Sequence, residues 1–323
     1  MNLTSVMTHE AEVAKIKSRR AWLSAMTVLL ACAMMFIMQL VCSFAIAFLF
    51  PDVQGEVLTA VIEMVCYVIY LTVPFGIAAI IFKTCLKSYD SYKPKYVTPK
   101  KPVLYILGAV GIGYIVNVTV NLLFGWLINL FDMPTVEAPQ TTAGIILLYI
   151  STAVFPAVLE EWAFRGVILK NLLPYGRKGA ILISSLLFGI MHVDPARVIF
   201  ATAFGLLLGI CYEYTRSIKI PMIIHFINNA IAVTSSLSLD NDVMIIVMDV
   251  VVYSFMGFGV AALIYYIRNG IQHKKISLNR PLHIGYKLTS GRYLLKTLLN
   301  PGVIPLALLY LFIFAAQFFA SYE

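Results

Sequence analysis

The sequence predicts an all-α fold: a polytopic transmembrane helix bundle of about eight core spans, with one more span at the C-terminus. Three observations predict it. Hydrophobic residues fill 60% of the 323 positions and charged ones only 12%, about half of the roughly 25% usual in soluble domains. Apolar runs of about 20 residues, the length that crosses a bilayer, recur from Trp22 to the C-terminus. Basic residues gather in the short stretches between these runs, in alternate connections, as orientation signals do.

The runs place spans at about 22–50, 57–83, 103–131, 143–169, 179–194, 196–213, 220–237, 243–267 and 302–321. Lys15, Lys17, Arg19 and Arg20 precede the first run and set the N-terminus in the cytoplasm. That run, at about 28 residues, is too long for a cleaved signal peptide and reads as a signal anchor. The acidic PDVQGE turn (51–56) then lies outside, and the lysines at 83, 87, 93, 95, 100 and 101 lie inside. DMPTVEAP (132–139) falls outside and NLLPYGRKG (171–179) inside. The tight turn at Asp194-Pro195 separates the fifth and sixth spans. EYTRSIK (213–219) follows inside, LDND (239–242) outside and the basic stretch 268–296 inside, leaving Glu323 outside. Such a pattern suits a multi-pass protein of a bacterial plasma membrane. The segment 273–300 is a basic connector, either lying on anionic lipid headgroups or simply solvated.

The net charge of +8 does not point to nucleic acid, because no basic surface interleaved with aromatic residues accompanies it. Cys32, Cys42, Cys66, Cys85 and Cys211 lie in or beside apolar runs without a CxxC pair and read as small core hydrophobes.

Ionisable groups inside a span cost at least a few kcal/mol, so they usually face the bundle interior and mark function. Three sets stand out. AVLEEWAFRGVIL (157–169) carries Glu160, Glu161 and Arg165; FGIMHVD (188–194) carries His192; HFINNA (225–230) carries His225, Asn228 and Asn229. Glu161 and Arg165, four apart, share a helix face and neutralise each other. Glu160, about 100° round the helix, is left without that partner and is the candidate general base. Phe188 is spaced to pack on His192. His225 with Asn229 on one face makes a donor pair for an oxyanion, with Asn228 as the alternative. Measured from the cytoplasmic ends of their spans, Glu160 lies roughly 15 Å deep, His192 about 20 Å and His225 about 9 Å, so one cavity can hold all three. Taken singly, each set has a plainer reading: a structural ion pair, an interhelix hydrogen bond, or polar glue worth about 1 kcal/mol.

The ordered set Glu160-Glu161-x-x-x-Arg165, Phe188-x-x-x-His192 and His225-x-x-x-Asn229 resembles the three motifs of the CPBP family of intramembrane proteases. That family includes the Rce1-like CAAX-prenyl endopeptidases and the bacterial Abi proteins. The similarity covers about 143–237, giving three segments: N-terminal helices (1–142), a catalytic core (143–237), and a C-terminal helix, connector and last span (238–323). The resemblance implies that Glu160 and His192 activate a water, that His225 and Asn229 hold the oxyanion, and that Glu161 and Arg165 support them. The implied substrate is a membrane-associated peptide or protein. No cofactor is needed for base catalysis, although Glu160, His192 and His225 are the right types for a divalent metal such as zinc. A non-proteolytic bacteriocin-immunity or interaction protein is the rival reading. A transporter is a weaker one, since no internal repeat is visible.

Overall fold

A bilayer offers the backbone no hydrogen-bonding solvent, so chains this apolar satisfy their amides within helices. In the computed structural model the described residues are 3–50, 55–86, 99, 101–128, 138–192, 195–239, 241–273, 312 and 315. Among them the regular structure is helical: α1 (Leu3–Leu49), α2 (Glu56–Thr84), α3 (Pro102–Ile128), α4 (Thr142–Leu172), α5 (Arg177–Ile190), α6 (Pro195–Thr215), α7 (Lys219–Leu237) and α8 (Asp242–His273). The expected lysines 87, 93, 95 and 100, residues 51–54 and 132–137, Asp194, the connector beyond His273 and nearly all of the last span lie outside the described residues.

Local chemistry sets several of these ends. Thr141 caps α4, its hydroxyl accepting the Gly144 N–H at 3.0 Å. Asn241 does the same for α8, accepting the Met244 N–H at 3.1 Å. Gly55 and Gly176 precede α2 and α5 with φ of 128° and 145°, conformations open to glycine and rarely to other residues. Glu56 ties the start of α2 to the start of α4, accepting from the Thr141 hydroxyl at 2.9 Å and the Gln140 N–H at 3.1 Å.

Among the described residues seven helices are long and apolar enough to cross a membrane: Trp22–Leu49, Glu56–Thr84, Pro102–Trp126, Thr142–Leu172, Arg197–Thr215, Lys219–Leu237 and Asp242–Arg268. The all-α transmembrane bundle is therefore as expected. The fifth expected span is not a full-length one. α5 has 14 residues, hence about 21 Å at 1.5 Å each, against a hydrocarbon core of about 30 Å. Its apolar run continues past Ile190, but the chain leaves the helix there, so the run overstates the helix. α6 packs back along α5.

α4 also departs from expectation. Through Ile150–Val154, Pro156–Glu160 and Trp162–Leu169 it is wound as a π-helix. The Phe155 N–H reaches back five residues to Ile150, and the Lys170 N–H five to Arg165. Wider turns of this kind are rare and concentrate at functional sites. The 100° step assumed for Glu160 and Glu161 therefore does not apply here.

α1 packs on α2, α5 on α6, and α3 along α8. Phe36, Phe75, Phe82, Phe164 and Phe188 anchor one core, and Val110, Phe204, Leu208 and Ile224 a second. α3 and α8 cross backbone to backbone: a Cβ on Gly111 would lie 1.9 Å from the Phe255 carbonyl oxygen, and one on Gly259 2.5 Å from the Gly111 carbonyl carbon. Small residues permit such close crossings in membranes. Glu213 pairs with both Arg177 and Arg216, tying the start of α5 to the α6–α7 turn. The cysteines are free thiols, but not all are core residues. Cys32 and Cys211 are buried, Cys42 and Cys66 half-buried, and Cys85 is exposed.

Candidate active site

Four ionisable side chains converge where α4 meets α7. Exposure is 5% for Glu160, 0% for Glu161, 0% for Arg165 and 3% for His225. Charges this deep persist only when paired and hydrogen-bonded. Arg165 Nη1 donates to Glu161 Oε1 at 2.9 Å, and Nη2 donates to the Gly205 carbonyl on α6 at 3.0 Å. Its guanidinium carbon lies 4.5 Å from the centre of the Phe188 ring. The expected internal neutralisation is thus present, and it is also anchored to two further helices.

Glu161 has a second partner that spacing did not suggest. Its Oε1 lies 3.0 Å from His225 Nδ1, so a carboxylate orients the imidazole. With the Nδ1 proton directed at Glu161, His225 turns Nε2 toward Glu160, 3.9 Å from Oε2. That separation is too long for a hydrogen bond. A water bonded to both atoms by legs of about 2.8 Å would complete a triangle with an apex near 90°.

Glu160 is held from outside its own segment. Tyr67 on α2 donates its hydroxyl to Oε1 at 2.8 Å, 93 residues away in sequence. Tyr70 packs edge-on to Tyr67, with ring centres 5.3 Å apart. Oε2 is buried and has no hydrogen-bond partner among the described residues. Sequence reading missed Tyr67. Its only local signal is a tyrosine pair in an apolar span.

Phe188 is the hub of the aromatic floor. It meets His192 at 5.2 Å and His225 at 5.7 Å between ring centres, and Phe164 at 5.3 Å, all edge-on. The predicted packing of Phe188 on His192 is present. His192 sits just beyond the end of α5, half-buried, with Nδ1 2.9 Å from the Phe188 carbonyl oxygen. If Nδ1 carries the proton there, Nε2 is left as the acceptor. His192 and His225 therefore flank one ring, and no hydrogen bond joins His192 to Glu160 among the described residues.

Asn229 shares the α7 face with His225 but is tied elsewhere. Its amide donates to the Thr152 carbonyl at 3.0 Å, on the π-wound part of α4, and its oxygen accepts from Asn228 at 3.2 Å. The other amide hydrogen of Asn229 has no partner among the described residues. Asn228 is buried.

As for a metal, no three of His, Cys, Asp and Glu converge to hold one among the described residues. Glu160, His192 and His225 do not form such a group, and His225 already spends Nδ1 on Glu161. The described side chains as placed do not fit a resident metal.

Residues 142–231 match the model of the Rce1-like family, described as type II CAAX prenyl endopeptidase Rce1-like. Glu160, Glu161, Arg165, His192, His225 and Asn229 fall inside that segment, and Tyr67 falls outside it. Over 97 residues the chain is 34% identical to "Putative membrane peptidase YdiL" of Bacillus subtilis (strain 168), covering 29% of this chain. The chain spans 39% of that relative's length. No solved structure matches the chain.

Proposed function

With residues 142–231 belonging to the Rce1-like family, we propose that the chain is a membrane-embedded endopeptidase hydrolysing a peptide bond in a membrane-associated peptide or protein. The 143–237 segment is its catalytic core, carried by the N-terminal helices and closed by α8. The observation that supports this most is the buried Glu160–His225 pair, with Tyr67 fixing one Glu160 oxygen and the other left facing an imidazole that Glu161 orients.

In the proposed reaction a water takes its place beside Glu160 Oε2. Glu160 removes a proton as the water oxygen attacks the scissile carbonyl carbon, forming the C–O bond and placing negative charge on the carbonyl oxygen. Donors held in a dry cavity stabilise that charge strongly. His225 is the first of them once Nε2 as well as Nδ1 carries a proton, and the Asn229 amide hydrogen not given to Thr152 is the second. The proton on Glu160 then passes to the amide nitrogen as the C–N bond breaks, giving a carboxylic acid and an amine, which exchange a proton on release. His192, on the other flank of Phe188, is the second imidazole able to hold the water. Glu161 and Arg165 position His225 and hold the helices.

The test compares membrane and secreted peptides of cells carrying the wild-type chain with those carrying Glu160→Gln at equal expression. Peptides present only with the wild type support the protease and reveal its substrate class. Identical peptide sets, with any cellular phenotype still rescued by the variant, refute catalysis and favour a membrane-embedded binding protein.

A further inference from the structure

A cavity of about 430 Å³ lies between the end of α1, the first half of α2 and the start of α4. Its volume is that of a small ligand site, of the kind that runs about 300–1,000 Å³. Tyr67 forms part of its wall and also donates to Glu160, so the cavity ends one hydroxyl away from the proposed base. One turn above Tyr67 on the same face of α2 stands Glu63, which also lines the cavity.

Glu63 needs an explanation. It lies seven residues into an apolar helix that is long enough to cross a membrane, a setting in which ionisable side chains are rare and mark function. It is exposed, and no hydrogen bond or ion pair holds it among the described residues. Glu56, the other carboxylate of the cavity, is taken up by Thr141 and Gln140. Among the described residues the cavity lining contains no Lys, Arg or His. Arg19, Lys83 and Lys170 sit toward the opposite ends of α1, α2 and α4, the helices that line the cavity.

We infer that this cavity binds the substrate segment next to the scissile bond, and that Glu63 selects a segment carrying a cationic side chain, Lys or Arg. The inference rests on the proposed protease reading for its substrate and on the cavity alone for its charge preference. One helical turn and the reach of the Tyr67 ring separate Glu63 from Glu160. In an extended chain at about 3.3 Å per residue, the cationic residue then stands about two to four positions from the bond cut.

Two native thiols in the lining, Cys42 and Cys66, allow a test that does not need proteolysis. The full chain, with Cys32, Cys85 and Cys211 changed to Ser, is purified in detergent. Modification rates are measured with a cationic and an anionic methanethiosulfonate, each normalised to a free thiol. A carboxylate focusing field in the cavity should favour the cationic reagent by about 10-fold, and Glu63→Gln should abolish the preference. An equal preference in the two proteins overturns the inference. So does failure of the cationic reagent to react, since a cavity closed to small cations admits no lysine.

The second arm uses apolar host peptides bearing Lys, Glu or Leu at successive positions. The wild type should cut Lys hosts fastest, Glu63→Gln should level the series, and Glu63→Lys should shift preference to Glu hosts. Leu and Lys hosts cut equally by the wild type overturn the inference even if cleavage is robust. Cleavage that persists in Glu160→Gln sinks the protease reading instead, and the thiol rates still decide the cavity's charge preference.

Discussion

Replacing Tyr67 by Phe removes one oxygen and leaves the ring, its packing on Tyr70 and the helix intact. What it takes away is the hydrogen bond to Glu160 Oε1, 2.8 Å long and the only one that Glu160 receives among the described residues. A hydrogen bond to an ionised group contributes about 1.5–3 kcal/mol. If that energy fixes the base in its working orientation, its loss raises the barrier by the same amount, roughly 10- to 150-fold in rate. The assay is steady-state kinetics of the purified chain on a peptide found through the Glu160→Gln comparison. Because Tyr67 is argued to hold the base and not the substrate, kcat should fall with KM nearly unchanged. Tyr70→Phe, which removes a hydroxyl with no such bond, serves as the control and should stay within about threefold of wild type. A raised KM at constant kcat would make Tyr67 a binding wall, and wild-type values for both constants would refute the positioning argument outright.

Two further expectations concern stability. Arg165→Met leaves Glu161 as an uncompensated buried charge, so thermal unfolding in detergent should show a loss of about 3–5 kcal/mol, whatever the activity. Partial recovery in the Arg165→Met, Glu161→Leu double variant would confirm that the unpaired carboxylate is the cause; no recovery would assign the loss to packing. Gly111→Ala should destabilise by about 1–3 kcal/mol, since its Cβ would meet Phe255 backbone at 1.9 Å. Gly125→Ala on the same helix, with nothing within 4 Å, should be neutral or slightly stabilising. Equal melting of the two variants would mean that α3 and α8 do not cross as described.

What the sequence made legible was whatever depends on local pattern. Apolar length marks α1–α4 and α6–α8, because a span must satisfy its backbone internally and helix is the local way to do so. The Glu161–Arg165 pair and the Phe188–His192 contact are four-residue neighbours, and both are present. Distant pairings had no such signature. Tyr67 is 93 residues from Glu160 and His225 is 64 from Glu161, and nothing in an apolar helix announces either partner. Asn229 shows the limit from the other side: spacing places it on the His225 face, but its amide is drawn to a carbonyl 77 residues away on α4. α5 was overestimated because hydropathy counts apolar residues and not helical turns. The π winding of α4 left no readable mark, since a wider turn exchanges one backbone acceptor for the next without changing composition.

The glycine crossing between α3 and α8 also has a bearing on synthesis. Gly111 and Gly259 are 148 positions apart (259 − 111), so the groove on α3 enters the membrane long before the helix that fills it. At about 5–20 residues per second, the ribosome takes roughly 7–30 s to make the intervening chain. The Rce1-like segment is translated wholly within that interval. The nascent protein therefore carries its candidate reacting groups before the α3–α8 clasp can shut. Completion of α8 then fills the groove on α3, and ribosome stalling ahead of Gly259 would leave the reacting groups present but that groove open.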